Sequence, residues 1–136
     1  MIKVSCAIII KDSKILAVQR GLESSHPWQW EFPGGKINTD ETAEQCIIRE
    51  IKEELNISIT IMDQFAPVQF DYGNKQIHLI PFVCKIASGE ITLNEHSALQ
   101  WIELNEWPSV DWSGADRKLI MENKESLKSL FSKDKY

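Results

Sequence analysis

The sequence predicts a mixed α/β (α+β) protein in which helices cover a sheet. Three features carry that expectation: β-branched apolar runs open the chain, a capped amphipathic segment falls between strand candidates, and a second helical segment comes last. Residues 4–10 form the first run, Lys11-Asp12-Ser13-Lys14 turns the chain, and residues 15–18 resume it, giving a hairpin of two buried strands. Residues 57–72, with interruptions, and 76–86 flank the turn-prone Asp71-Tyr72-Gly73-Asn74 and suggest a second hairpin. Residues 98–104 alternate without one clearly apolar face, but Trp101 and Ile102 favour a strand. Thr42-Ala43-Glu44-Gln45 matches a capping box, so the first helix starts at Thr42 and continues to about Leu55. The last helix follows Ser113, with Ser113 and Asp116 as a similar cap. It carries Ala115, Leu119, Ile120, Leu127, Leu130 and Phe131 on its apolar side as one element.

No repeat, low-complexity tract or linker divides the chain, which suggests a single domain over residues 1–136 with a frayed, charged tail at 131–136. A hydrophobic fraction of 43% suffices for one real core, in which Trp30, Trp101 and Trp107 are expected. Twenty acidic against fifteen basic side chains argue against a nucleic-acid polymer or an anionic membrane as partner. No apolar run approaches the roughly 20 residues of a membrane span, and Met1-Ile2-Lys3-Val4-Ser5-Cys6 lacks the build of a signal peptide, so a cytoplasmic location is expected. Cys6, Cys46 and Cys84 are odd in number and far apart, which points to buried, reduced thiols rather than a disulfide framework. His26, His78 and His96 show no metal-ligand spacing.

The first helix conflicts with its own electrostatics. At about 100° per residue from Ala43, Ile47, Ile48, Ile51 and Leu55 fall within about 140°, and Glu54 comes at about 20°, inside that apolar stripe. Glu50 and Glu53 line its edge. All three carboxylates sit near the helix C-terminus, where the dipole disfavours anions. Arg49 stands four residues from Glu53, but no residue of the helix is placed to compensate Glu50 or Glu54. Crowded carboxylates need a counter-charge, and a divalent cation with oxygen ligands, magnesium or manganese, supplies one. Just upstream, Pro33-Gly34-Gly35-Lys36 offers backbone that a ligand can approach closely and a point charge for phosphate. Together these segments suggest a metal–diphosphate site.

Gly35, Glu41 and Arg49-Glu50-Ile51-Lys52-Glu53-Glu54-Leu55-Asn56-Ile57 stand in the spacing G-x5-E-x7-R-E-U-x-E-E-x-G-U, with U aliphatic, and this resembles the Nudix box. Asn56 replaces the family's last glycine; Asn tolerates the left-handed conformation that ends a helix, so the box is expected to work. The likeness runs over about residues 3–131 and is greatest to MutT-like and CTP-pyrophosphohydrolase-like members. It is carried also by residues 30–37, Ile77-His78-Leu79 and residues 95–101.

The resemblance implies a Nudix fold, an α/β/α sandwich with a mixed, curved sheet. It also implies magnesium-dependent hydrolysis of a nucleoside triphosphate to the monophosphate and pyrophosphate, manganese being a possible substitute. Candidate substrates are CTP, 5-methyl-dCTP and 8-oxo-dGTP, small molecules acted on by a monomer or homodimer. Carried over by position, the Gly35 carbonyl, Glu50, Glu53, Glu54 and Glu95 would ligate metal, with one carboxylate taking the proton. Arg49 would orient the glutamates, Glu41 would support the loop, and Lys36 would hold phosphate. Arg20, Asp116 and the backbone of Phe32 match base-contacting positions, while Asp116 serves equally as a helix cap and Arg20 as a surface charge. Trp28 either stacks on a base or anchors its loop. The other readings are a Nudix module that senses a nucleotide without turnover, and hydrolysis of ADP-ribose or a dinucleoside polyphosphate. Tyr72 stands near the family's dinucleoside marker but not on it.

Overall fold

A computed structural model describes residues 1–21, 27–94 and 96–131. The chain forms β1 (Ile2–Lys11), β2 (Lys14–Gln19), β3 (Trp30–Glu31), β4 (Gly34–Lys36), α1 (Ala43–Leu55), β5 (Ser58–Gln64), β6 (Val68–Asp71), β7 (Gln76–Ser88) and β8 (Ala98–Glu103). A 3₁₀ turn (Leu104–Ser109), α2 (Gly114–Glu122) and α3 (Lys124–Leu130) follow. Asp12 and Ser13, both at positive φ, make the two-residue turn of the β1–β2 hairpin, a geometry that matches strand twist. The hairpin separates after Ile10↔Ile15: β2 continues along β3 and β8, while β1 runs parallel to β7 from Ile2↔Ile77 to Ile9↔Cys84. The remaining pairings are antiparallel, so the sheet is mixed.

The apolar run of β1 is continuous because both faces of the strand are covered. Cys6, Ile8 and Ile10 face a core closed by Leu119 and Ile120 of α2 and Leu127 and Leu130 of α3. Ala7 and Ile9 face a second core closed by Ile47, Ile51 and Leu55 of α1. The result is a three-layer α/β/α arrangement.

Several sequence expectations need correction. The last helix is two, because the chain breaks at Asn123, whose buried amide accepts from Ala66 N and donates to the Ala66 and Leu119 carbonyls. Ile48, placed in the buried stripe, is 46% exposed, and Cys46 is buried in its place. Trp30, Trp101 and Trp107 are only partly buried, whereas Trp112 is buried against Phe32 with ring centroids 5.0 Å apart. Cys6, Cys46 and Cys84 are buried free thiols, as expected. His26 and residues 132–136 lie outside the described residues.

Pro33-Gly34-Gly35-Lys36 forms no free turn but supplies β4, paired with β1 at Val4↔Lys36 and Cys6↔Gly34. A Cβ at Gly34 would come within 2.0 Å of the Ser5 carbonyl oxygen, and one at Gly35 within 2.3 Å of the Glu50 carboxyl carbon. Gly34→Ala must therefore displace backbone, whereas Gly35→Ala displaces a side chain. We expect Gly34→Ala to cost about 1–3 kcal/mol in urea unfolding, as overpacking does, and Gly35→Ala to cost less while moving Glu50.

Candidate active site

Helix α1 is fixed at both ends. Thr42 Oγ1 accepts from Gln45 N at 3.0 Å and Gln45 Oε1 from Thr42 N at 2.9 Å, the expected capping box. At the other end Asn56 takes the left-handed conformation (φ 60°, ψ 33°) and donates its N–H to the Lys52 carbonyl. The carbonyls left over in the last turn are met from a distant loop: Asn94 Nδ2 donates to Glu53 O, Asn94 N to Glu54 O and Thr92 N to Leu55 O. Sequence reasoning missed this cap, because nothing local in residues 92–94 names its target.

Arg49 gathers the carboxylates. Its guanidinium holds Glu41 through two bonds (Nη2–Oε1 2.6 Å, Nε–Oε2 3.0 Å), Glu50 at 3.0 Å, Glu53 at 3.2 Å and the Lys36 carbonyl at 3.3 Å. Glu50 is thus compensated from its own helix, contrary to the sequence expectation, because Arg49 reaches the adjacent carboxylate as well as the one a turn away. The bond to Arg49, together with the Asn38 N–H, holds Glu41 down to about 2, and the Glu41 bond raises Arg49 further above its already high value. Glu54 is 5% exposed, as the helical wheel requires, and its Oε2 lies 4.0 Å from His96 Nδ1. Glu95 lies outside the described residues.

The absent side chain of Gly35 makes room for the Glu50 carboxylate against the β4 backbone. Among the described residues no three His, Cys, Asp or Glu side chains close into a metal cage. The fit to a metal lies in the donor chemistry: Glu50, Glu53 and Glu54 with the Gly35 carbonyl are hard oxygen donors, the set that suits magnesium or manganese.

Beside Gly35 opens a cleft of about 180 Å³, and Arg20, Phe32, Gly35, Lys36 and Asp116 all line it. Four substrate-side candidates, drawn from three separate stretches of chain, therefore converge on one space. The lining also includes Glu31, Tyr72 and Lys75, to which sequence reasoning gave no site role. Glu31 is the centre of a network, accepting from Arg20 Nε at 2.8 Å and bonding His96 Nε2 at 2.9 Å. Burial would raise Glu31, but the His96 and Arg20 contacts outweigh it and hold the carboxyl below its ordinary value. The available signal was a charge set between Trp30 and Phe32 in an otherwise apolar stretch. Trp28 is half exposed and donates its N–H to Arg20 O. Among the described residues the cleft lining does not include it.

Asp116 does not cap α2. Ser113 N donates to Trp30 O, and Asp116 instead accepts from Phe32 N at 2.9 Å and from Ser113 Oγ at 2.7 Å. Phe32 N–H is spent on Asp116, so the backbone group it can offer a ligand is its carbonyl. Burial, then the nearby Glu31 charge, push Asp116 up to about 7 against an ordinary 3.8.

A three-layer fold thus sets the acidic end of a helix beside a cleft lined by Arg20, Lys36 and Lys75. The NUDIX domain family model matches residues 1–122, and the chain belongs to the Nudix family. It is 37% identical over 120 residues to the CTP pyrophosphohydrolase of Escherichia coli, covering 88% of this chain and 89% of that one. It is 35% identical over 82 residues to the 8-oxo-dGTP diphosphatase of Proteus vulgaris, covering 60% and 73%. The solution structure of the E. coli ORF135 protein superposes with a TM-score of 0.80 at 34% identity, covering 98% and 95%. The protein is accordingly a Nudix hydrolase, of a family that uses a divalent metal.

The raised Asp116 carboxyl links stability to pH. Between about 4 and about 7 the folded state binds a proton that the unfolded state has lost, so stability falls as pH rises through that window and the loss is complete above about 7. Asp116→Asn should flatten that slope in urea unfolding at a series of pH values, relative to the native chain.

Proposed function

We propose that the protein is a magnesium-dependent nucleoside triphosphate pyrophosphohydrolase that converts a (d)NTP, of cytidine type or oxidised, to the (d)NMP and pyrophosphate. One observation carries the reading: a single cleft is lined by Asp116, Arg20, Lys36 and Gly35, and Glu50 lies against Gly35. Asp116 and Arg20 have the polar chemistry of a base site. Lys36, Gly35 and Glu50 have the charge and the oxygen donors of a diphosphate site. The names of the relatives, CTP pyrophosphohydrolase and 8-oxo-dGTP diphosphatase, support a nucleotide substrate. Buried thiols fit a reducing compartment, the cytoplasm.

In this reading the Gly35 carbonyl, Glu50, Glu53 and Glu54 hold the metal, with Glu95 contributing as the family pattern implies. Bound there, a divalent cation neutralises diphosphate charge and acidifies the attacking water. The chain's own groups do the rest. Lys36 meets a phosphate oxygen as a point charge. Arg49, held by Glu41, keeps the Glu50 and Glu53 carboxylates in one array. One carboxylate of the set takes a proton as water oxygen bonds phosphorus and the diphosphate leaves. Asp116 accepts from a donor on the base edge while Arg20, steadied by Glu31, flanks it. Such positioning supplies much of the acceleration in phosphoryl chemistry.

Pyrophosphate release should be measured over a panel including CTP, 5-methyl-dCTP, 8-oxo-dGTP, ADP-ribose and a dinucleoside polyphosphate, with Mg²⁺ and with chelator. Turnover of a triphosphate that chelator abolishes is expected; tight binding without release would favour a sensing role. Glu54→Gln should lower turnover by orders of magnitude with the far-UV circular dichroism unchanged, and a near-normal rate would remove it from the metal set. For Asp116→Ala the expected result is altered base preference with a modest loss of rate, read from kcat/KM across the panel.

A further inference from the structure

On the far wall of the cleft the β6–β7 hairpin packs against the start of α2, with Phe70 resting on Gly114 and Tyr72 edge-on to Phe70 at 4.6 Å between centroids. The Tyr72 hydroxyl accepts from Ala115 N at 2.9 Å and stands 3.1 Å from Ser113 Oγ. Ser113 Oγ stands 2.7 Å from Asp116 Oδ2, and Phe32 N bonds Asp116 Oδ1 at 2.9 Å.

For the ionised form of Asp116, hydrogen counting gives this chain a direction. Ser113 carries one hydroxyl hydrogen, and its shorter contact is to the carboxylate, which in that form can only accept. The 3.1 Å contact then needs its hydrogen from Tyr72, which can give it because the Ala115 N–H already occupies the phenol oxygen as acceptor. Two donors thus point at Asp116, one on each oxygen. A protonated Asp116 donating to Ser113 would turn the serine hydrogen towards a phenol oxygen that already accepts a bond. The arrangement therefore favours Asp116 as a pure acceptor towards the cleft.

We infer that Tyr72, acting through Ser113, is a specificity-determining positioning residue that keeps Asp116 an acceptor and so selects nucleobases presenting an amino group over those presenting a carbonyl at that edge. The inference rests on Asp116 contacting the base, as proposed above. Cytosine and uracil differ at that edge by an amino group against a carbonyl, so the pair isolates the effect.

The test compares CTP with UTP by kcat/KM, and CMP with UMP by binding, read from tryptophan fluorescence, for the native chain, Tyr72→Phe, Ser113→Ala, Asp116→Ala and the double variant Tyr72→Phe/Asp116→Ala. Tyr72→Phe keeps the ring contact with Phe70 and should fold, which a thermal melt checks. The native chain should prefer cytidine, and Tyr72→Phe and Ser113→Ala should each reduce that preference about threefold to tenfold, the worth of one hydrogen bond. In the Asp116→Ala background Tyr72→Phe should change the ratio no further. Equal handling of both pyrimidines by the native chain, or a Tyr72→Phe ratio equal to native, overturns the inference. An Asp116→Ala ratio equal to native overturns the base-contact reading itself, and a changed Asp116→Ala ratio beside an unchanged Tyr72→Phe ratio overturns only the role of Tyr72.

Discussion

Everything at the acidic end of α1 depends on how closely β4 lies between β1 and α1. Gly34 sits where a side chain would strike the Ser5 carbonyl, and Gly35 sits where one would occupy the Glu50 carboxylate. Because neither carries a Cβ, strand and helix approach until a carboxylate rests on backbone. That approach also brings the Lys36 carbonyl within reach of Arg49 and of the Cys46 thiol. A glycine pair followed by an acidic helix is thus one structural device, in which the strand gives up side-chain packing to let the helix deliver oxygen donors.

The cost of that device is electrostatic, since three glutamates share the end of a helix that already carries partial negative charge. Two compensations are visible. Arg49 binds Glu41, Glu50 and Glu53 at once, an arrangement that needs the planar fork of arginine rather than a lysine. Residues 92–94 donate to the last carbonyls of α1 and so draw down the dipole's own charge. In the reading proposed above, a divalent metal ion would complete this balance instead of bearing all of it.

Legibility in the sequence follows the range of the interactions. The box was readable because Arg49, Glu50, Glu53 and Glu54 lie within six residues on one helix whose start is written in Thr42 and Gln45. Strand β1 was readable because both its faces are buried, which leaves an unbroken apolar run. Strand β4 was not, because Pro-Gly-Gly locally specifies a turn and only pairing with β1 makes it a strand. The Ser113–Asp116 pair looked like a cap because its spacing is that of one; its actual partner, Phe32 N, is 84 residues away. The break at Asn123 was hidden for the same reason, since the apolar spacing runs on through it and the residue that captures its amide, Ala66, lies in another part of the chain.

This contrast in range separates two kinds of residue in one cleft. The metal side is built from one strand, one helix and a loop that caps that helix, so a change there disturbs the whole array through Arg49. The opposite side draws Arg20 from the end of β2, Glu31 from β3, Tyr72 from the β6–β7 hairpin and Asp116 from α2, joined by individual hydrogen bonds. A backbone bridge between Trp30 and Trp112, with Ser113 N bonded to Trp30 O, holds β3 against the start of α2 and so sets Asp116 beside Phe32 whatever side chains surround it. In the proposed reading, substitutions at Tyr72 or Ser113 would alter which donors and acceptors face a base while the carboxylates on α1 stay where they are. The chemistry would then be fixed by packing, and selection left to a few side chains that hydrogen-bond across the cleft.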